Sequence, residues 1–228
     1  MLDALREEVC VANRELTRSG LVPLTWGNAS GIDRASGFVA IKPSGVPYDE
    51  LQPGQMVIVD LDGRVVEGDL RPSSDTPTHL VLYRSFASIG GVAHAHSRHA
   101  TMFAQARREI PCLGTTHADH FHGPVPVTRP LTEDEVADDY EGHTGRVIAE
   151  RFAALDPAAV PAVLVAGHGP FTWGRDAAEA VRNAVALEAV AEMAAGARAI
   201  DPQSPELETY LLEKHYRRKH GPDAYYGQ

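Results

Sequence analysis

The chain alternates short apolar segments with helical patterns. One tight turn interrupts the regular succession of strand, helix and strand that a parallel sheet needs. Asp62-Gly63 stands between two apolar-rich runs in MVIVDLDGRVVEG, the strongest short-range signal for a β-hairpin. Strands joined by hairpins are antiparallel, whereas a strict succession of strand, helix and strand predicts a parallel sheet. We therefore predict a single α/β domain over residues 1–228, with a mixed, mainly antiparallel central sheet covered by helices.

Helices are predicted where apolar residues recur every three or four positions, or where a capping pattern opens a run. They cover residues 1–20, 75–86, 97–108, 132–155, 177–199 and 204–221. Short segments broken by glycine occupy residues 24–33, 37–45 and 56–68, and further strands are predicted in 89–96, 125–130 and 161–169.

Charge and cysteine content narrow the classes of function. Lys and Arg number 21 against 31 Asp and Glu, so the formal charge is −10, which disfavours nucleic acid as a partner. Cys10 and Cys112 cannot build a disulfide framework, and a reducing cytoplasm fits this usage. No apolar run approaches the length of a membrane span, and the N-terminus carries acids where a signal peptide is basic. We expect a cytoplasmic protein with a small-molecule partner.

Histidines are the candidate metal ligands. Six of the eleven lie between His94 and His122. His94 and His96 follow each other at a spacing that puts both side chains on one face of a strand. Alone, such a pair is as often a solvent-facing strand end, but His168 at the end of a second apolar strand supplies a third imidazole. Three histidines with an open position are typical of catalytic zinc and similar divalent ions.

Three turns containing glycine or serine could bind the rest of a ligand. Lys42-Pro43-Ser44-Gly45 follows a strand, and Arg71-Pro72-Ser73-Ser74-Asp75 precedes a helix. Hydroxyls and free N–H groups at a helix start attract anions, and Lys42 would add a positive charge. Trp26-Gly27-Asn28 offers an amide for ligand hydroxyls. Each turn alone is more readily an ordinary cap or loop; together with a metal they suggest a substrate site.

These segments resemble the class II aldolase/epimerase family, in particular its L-ribulose-5-phosphate 4-epimerases. The resemblance runs from residue 21 to residue 228. It is carried by the segments LTWGNAS, IKPSGV, PSSDTPTH, IGG-x-x-H-x-HSRHAT, GTTHAD, HGPF-x-WG and KHY-x-RKHG-x-x-AYYGQ. It implies zinc-dependent epimerisation of L-ribulose 5-phosphate to D-xylulose 5-phosphate at C4, in arabinose and pentose phosphate metabolism. The C3–C4 bond would break to an enediolate and an aldehyde, which then rejoin.

The resemblance also implies a role for individual residues. It assigns one Zn²⁺ per subunit to His94, His96 and His168, with the Asp75 carboxylate beside it or ligating it. Substrate binding is assigned to Gly27, Asn28, Lys42, Ser44, Gly45, Ser73, Ser74, His215 and Arg218. Asp119 and Tyr226 are the implied acid and base, for which composition alone gives no role. The family forms homotetramers with each site at a subunit interface.

Two rival interpretations stay open. A class II sugar-phosphate aldolase, such as an L-fuculose-1-phosphate aldolase, shares the fold, metal and enediolate but releases the aldehyde; a related pentulose phosphate is another possible substrate. Aldolases of the family carry Glu after Pro-Ser-Ser, and this chain carries Asp75. A non-catalytic protein that binds metal or sugar phosphate is the other interpretation, which Asp119 and Tyr226 argue against.

Overall fold

A seven-stranded sheet and seven α-helices make up the part of the chain that the computed structural model describes, residues 2–221 and 224–225. The strands are β1 (Gly27–Asp33), β2 (Phe38–Ile41), β3 (Val57–Val59), β4 (Val65–Glu67), β5 (Gly91–Ala95), β6 (Ala162–Leu164) and β7 (Pro170–Gly174). The helices are α1 (Leu2–Arg18), α2 (Thr76–Ser85), α3 (Arg98–Ala106), α4 (Thr115–Ala118), α5 (Glu133–Arg151), α6 (Ala177–Ile200) and α7 (Thr209–His220).

The sheet runs in the order β4-β3-β2-β1-β5-β7-β6, and every neighbouring pair in it is antiparallel. The predicted hairpin at Asp62-Gly63 joins β3 to β4, with Gly63 at a φ of +86°. Val127 and Leu164 add one isolated parallel bridge outside the named strands. The predicted α/β class with a mainly antiparallel sheet is therefore confirmed.

Helices cover both faces of the sheet because side chains alternate along each strand. Ala40 of β2 packs in the cluster with α1 and α6, whereas its neighbours Val39 and Ile41 pack in the cluster with α2 and α5. A third cluster under α3 and α6 closes the β6 end of the sheet. No helix among the described residues is long and apolar enough to cross a membrane.

Two of the predicted elements differ from the structure in ways that their sequence and contacts explain. Residues 125–130 form isolated bridges instead of a strand, because Pro126 and Pro130 have no N–H for a ladder. The last helix begins at Thr209 and not near Ser204, and the backbone N–H of Leu207 donates to the Cys112 carbonyl.

Candidate active site

Three imidazoles converge at one end of the central strands. His94 lies on β5 and His96 follows its last residue, so the predicted same-face arrangement is confirmed. The strand predicted over 161–169 ends earlier, at Leu164, and His168 lies in the turn between β6 and β7 instead of at a strand end. This turn, with Gly167 at a φ of +77°, brings the third ring to the other two.

The geometry of the three rings fits a divalent metal ion. The Nε2 atom of His96 lies 3.1 Å from that of His94 and 3.2 Å from that of His168. Metal–nitrogen bonds of about 2.0–2.1 Å in a tetrahedral arrangement place ligand atoms about 3.4 Å apart. His94 Nδ1–H donates to the Pro170 carbonyl at 2.9 Å, which leaves its Nε2 as a lone pair. The donor set and its spacing therefore match a metal centre.

Burial favours the neutral form of His96 and His168, as metal ligation requires. Burial and the neighbouring His94 and His96 lower the pKa of His168 to about 3. Burial, followed by the neighbouring His94, also lowers the pKa of His96. His168 Nδ1 lies 3.2 Å from the Tyr140 hydroxyl, which orients the ring from outside the cavity. No sequence pattern pointed to Tyr140, because it lies 28 positions away on α5.

A cavity of about 530 Å³ opens beside the three rings. It gathers eleven of the residues assigned from the sequence: Gly27, Asn28, Lys42, Ser44, Gly45, Ser73, Ser74, Asp75, His94, His96 and His168. Thr25, Trp26 and Pro43 also line it and were not assigned from the sequence. The Trp26 side chain is about half exposed at the rim, with its ring centroid 6.4 Å from that of His96. The sequence signal that could have identified Trp26 was a tryptophan directly before the predicted Gly27-Asn28 site.

Two backbone bonds tie the serine-containing turns together. Ser44 N–H donates to the Arg71 carbonyl and Ser73 N–H donates to the Lys42 carbonyl, each at 2.9 Å. These two amides are therefore not the anion donors that the helix-start pattern suggested. The Ser73 hydroxyl accepts from Asn28 Nδ2 at 3.0 Å, and its own hydrogen remains for a ligand. The turns thus form one rigid wall whose hydroxyl groups can bind a phosphate.

Lys42 supplies a buried positive charge to this wall. Its ammonium donates to the carbonyls of Pro43 and Val46, and it lies 4.8 Å from the centroid of the Tyr48 ring. Burial lowers the pKa of Lys42 to about 8. Around neutral pH most Lys42 side chains therefore carry a positive charge, which lies in the wall of the cavity.

Asp75 opens α2 as predicted, but its carboxylate does not cap that helix. It accepts instead from Asn28 Nδ2 at 2.6 Å. Burial alone would raise the pKa of Asp75, but His94, His79 and the Asn28 bond outweigh it and lower the pKa. The group of donor atoms that all lie within 4.8 Å of one another comprises the three histidines. Direct ligation by Asp75 stays a prediction.

Asp119, His215 and Arg218 form a second cluster, between α4 and α7. Arg218 donates to both carboxylate oxygens of Asp119, at 2.8 and 2.5 Å, and His215 Nδ1 lies 3.1 Å from one of them. Burial raises the pKa of Asp119, but the bonds from Arg218 and His215 outweigh it and lower the pKa, so the carboxylate is ionised. Among the described residues, the cavity lining includes none of these three. Tyr226 lies outside the described residues.

The antiparallel sheet, the three histidines and the serine-lined cavity define a metal-dependent enzyme of the aldolase type. The sequence matches the family "Class II Aldolase and Adducin N-terminal domain" over residues 7–195, so the chain belongs to this family. Class II aldolases use a divalent metal ion, and a sugar phosphate is the substrate consistent with the family.

Several solved structures share the fold. An L-fuculose 1-phosphate aldolase is 25% identical with a TM-score of 0.79, over 94% of this chain and 95% of the other. The L-fuculose-1-phosphate aldolase of Thermus thermophilus is 25% identical with a TM-score of 0.68, over 89% and 98%. That of Glaciozyma antarctica, at 16% identity, shares the fold with a TM-score of 0.78, over 97% and 84%.

Proposed function

We propose that this protein is a zinc-dependent L-ribulose-5-phosphate 4-epimerase, which interconverts L-ribulose 5-phosphate and D-xylulose 5-phosphate. The observation that carries the proposal is the convergence of His94, His96 and His168 in one cavity with the Asp75 carboxylate and the serine turns. Zinc, one ion per subunit, would polarise the ketose carbonyl and stabilise the negative charge of an enediolate. The binding of the ion would fall to the three histidines.

The reaction follows from the substrate's chemistry. The C4–H bond is not acidic, so the proposed reaction would invert C4 by breaking and re-forming the C3–C4 bond. Removal of the C4 hydroxyl proton breaks that bond and leaves the enediolate of dihydroxyacetone with glycolaldehyde phosphate. The phosphate is carried by the aldehyde fragment. The turns at residues 42–45 and 71–75 would therefore retain the aldehyde while its carbonyl rotates to present the other face.

Inversion needs a proton carrier on each side of C4. Asp119 is ionised by Arg218 and His215, so it suits the role of base on one face. Tyr226 would serve the other face. Because the Asp119 cluster lies outside the cavity of its own subunit, we propose a homotetramer in which a neighbouring subunit contributes these groups. We also propose that the protein is cytoplasmic. The catalytic unit would be the single domain over residues 1–228.

A class II aldolase of the fuculose phosphate type is the second candidate, and the similar solved structures favour it. Asp75 supports the epimerase, because a carboxylate shorter than Glu reaches less far toward the bound enediolate. Slower protonation of the enediolate leaves time for it to attack the rotated aldehyde, whereas rapid protonation releases both fragments.

Incubation of the zinc-loaded protein with L-ribulose 5-phosphate, with both the epimer and the free aldehyde followed, tests the proposal. We expect D-xylulose 5-phosphate without accumulation of glycolaldehyde phosphate. Unphosphorylated L-ribulose is the control, and it should react poorly because the serine turns have nothing to hold. Release of aldehyde in step with loss of ketose would contradict the epimerase and support the aldolase. No reaction with this or related ketose phosphates would contradict both enzymes.

A further inference from the structure

Two polar pairs link strand β1 to helix α2 at the cavity. In the first, Asn28 Nδ2 donates to Asp75 Oδ2 at 2.6 Å; in the second, the Ser30 hydroxyl lies 2.7 Å from His79 Nδ1. Two residues along a strand advance about 6.6 Å, and four along a helix advance about 6.0 Å. The two pairs therefore lie next to each other, and both residues of the second pair are fully buried.

Each pair leaves one buried polar atom without a protein partner. These atoms are His79 Nε2 and Asn28 Oδ1. His79 is fully buried and Asn28 is 3% exposed, so bulk water does not reach them freely. A buried polar group left without a hydrogen bond destabilises the folded state, because it has lost its bonds to water and gained none. Each of these two atoms needs a partner, and one small partner between the adjacent pairs would serve both.

The hydrogen bonds around Ser30 determine which ring nitrogen of His79 carries the proton. The Ser30 hydroxyl also lies 2.8 Å from the buried Tyr83 hydroxyl. If Tyr83 donates to Ser30 and Ser30 donates to His79 Nδ1, only Nε2–H remains unpaired. In the reverse direction, His79 Nδ1–H would donate to Ser30 and Ser30 to Tyr83. Both the Tyr83 proton and the His79 Nε2 lone pair would then lack a partner, so this arrangement is less stable. His79 is therefore a neutral imidazole with its free N–H on Nε2.

The surroundings of His79 connect it with the active site. Asp75 precedes His79 by one helical turn, and helical side chains lean toward the preceding turn, so the ring leans toward the carboxylate. The His79 ring also packs edge-on against Phe171, with centroids 6.1 Å apart. Phe171 in turn stacks on His94 at 4.1 Å. The Asp75 carboxylate is therefore an acceptor close to the unpaired Nε2–H of His79.

We propose that His79 is a positioning residue whose Nε2–H holds the Asp75 carboxylate and the Asn28 amide through one ordered water molecule. The water would accept from His79 Nε2–H and donate to Asn28 Oδ1 and to Asp75, three bonds of the kind buried waters make. The water would thereby hold the Asp75 carboxylate in one orientation in the cavity. As a role in catalysis, this inference rests on the proposed function.

Two substitutions of His79 separate positioning from packing. His79→Gln retains an N–H near the Nε2 position, whereas His79→Leu removes it. We expect kcat to fall about 10–100-fold in His79→Leu, the usual cost of losing such a supporting bond, with KM and zinc content close to the parent's. His79→Gln should recover most of kcat. Thr172→Val is the matched control: it removes a buried hydroxyl bonded to the Ala180 carbonyl and should lower the melting temperature with kcat unchanged.

A high-resolution crystal structure of the zinc-loaded parent supplies a readout that is independent of activity. A water within hydrogen-bond distance of His79 Nε2, Asn28 Oδ1 and Asp75 supports the inference. A dry gap at that point overturns it, and so does a loss of kcat that is equal in the Gln and Leu variants. A parent that shows the water but does not react with L-ribulose 5-phosphate contradicts the proposed function and leaves the water site standing.

Discussion

At the scale of single residues, the metal centre depends on which nitrogen of each imidazole is free. The Pro170 carbonyl accepts from His94 Nδ1–H, and the Tyr140 hydroxyl lies beside His168 Nδ1. Such bonds on the outer nitrogen orient the ring and direct the lone pair of Nε2 inward. The triad is therefore preorganised by groups outside the cavity, and a ligand substitution should act on metal binding before it acts on the fold.

We predict that His94→Asn, His96→Asn and His168→Asn each lose most of the bound metal and most of the activity. Asn is shorter and presents an amide that binds such ions weakly, so two imidazoles would remain. Elemental analysis of the purified variants measures the metal, and circular dichroism checks that they fold. Full zinc occupancy in all three variants would show that the ligands have been assigned wrongly.

If Lys42 binds the substrate phosphate as proposed, the binding of that substrate should depend on pH. Burial lowers its pKa to about 8, so the free enzyme loses this positive charge as the pH rises through 8. We expect KM for the phosphorylated substrate to rise several-fold between pH 7 and 9. Lys42→Met should have a high KM with no such rise over the same range. A parallel rise in both proteins would assign the effect to another group.

The same shift in pKa has a defined sign for stability. The folded state releases the Lys42 proton near pH 8, whereas the unfolded chain holds it up to about 10.4. Between these values the unfolded state binds more protons, so this group makes the free energy of unfolding rise with pH. Urea unfolding of the parent and of Lys42→Met at pH 7, 8.5 and 10 should show this contribution in the parent alone.

At the scale of elements, the pairing of β1 with β5 sets the floor of the cavity. Asn28 stands opposite His94 and Gly27 opposite Ala95 in this register. A Cβ at Gly27 would come within 2.6 Å of the His94 carbonyl oxygen, closer than atoms pack. Gly27 is therefore required so that β1 and β5 can approach where the Asn28 amide and His94 lie side by side.

Gly27→Ala should force β1 and β5 apart and move His94. We expect a loss of about 1–3 kcal/mol in the free energy of unfolding, the usual cost of overpacking, together with weaker metal binding. Chemical denaturation and metal titration measure the two effects. Gly196→Ala, on α6 with open space around its Cβ, is the control and should be neutral or stabilising. An unchanged metal affinity in Gly27→Ala would mean that the strands adjust elsewhere.

At the scale of the whole molecule, the candidate functional residues fall into two groups. The cavity holds the histidines and the serine turns, and the α4–α7 cluster holds Asp119 with His215 and Arg218. If both groups serve one reaction, a neighbouring subunit must bring the second group to the cavity of the first. This arrangement makes a specific prediction for mixed assemblies.

Two inactive variants should complement each other. Tyr226→Phe removes only a hydroxyl, and His94→Asn removes a metal ligand, so each homotetramer should lose most of its activity. After dissociation and reassembly together, some sites should combine intact histidines from one chain with Tyr226 from its neighbour. We expect partial activity to return in hybrids verified by mass spectrometry. Inactive hybrids would contradict the shared site, and Asp119→Asn in place of Tyr226→Phe provides a second, independent pairing.

Local chemistry was enough to predict much of this protein from its sequence. The α1 periodicity, the Asp62-Gly63 hairpin, the capping box at Thr132 and Asp176 as a helix cap all appear in the structure. His94 and His96 were placed on one face because the strand repeat is two residues, whatever lies around it. These features depend on residues within a few positions of each other, so the sequence carries them directly.

Only the tertiary structure decided what meets across the sheet. His168 reaches the other ligands through a turn 72 positions away, and Asp75 turns from its helix to Asn28, 47 positions away. The chain orders the strands β1-β5-β7 so that these distant segments become neighbours. His79 and Tyr140 gave no local signal, since their side chains contact residues on other elements. Long-range contacts of this kind follow from how the whole core packs, which no short stretch of sequence specifies.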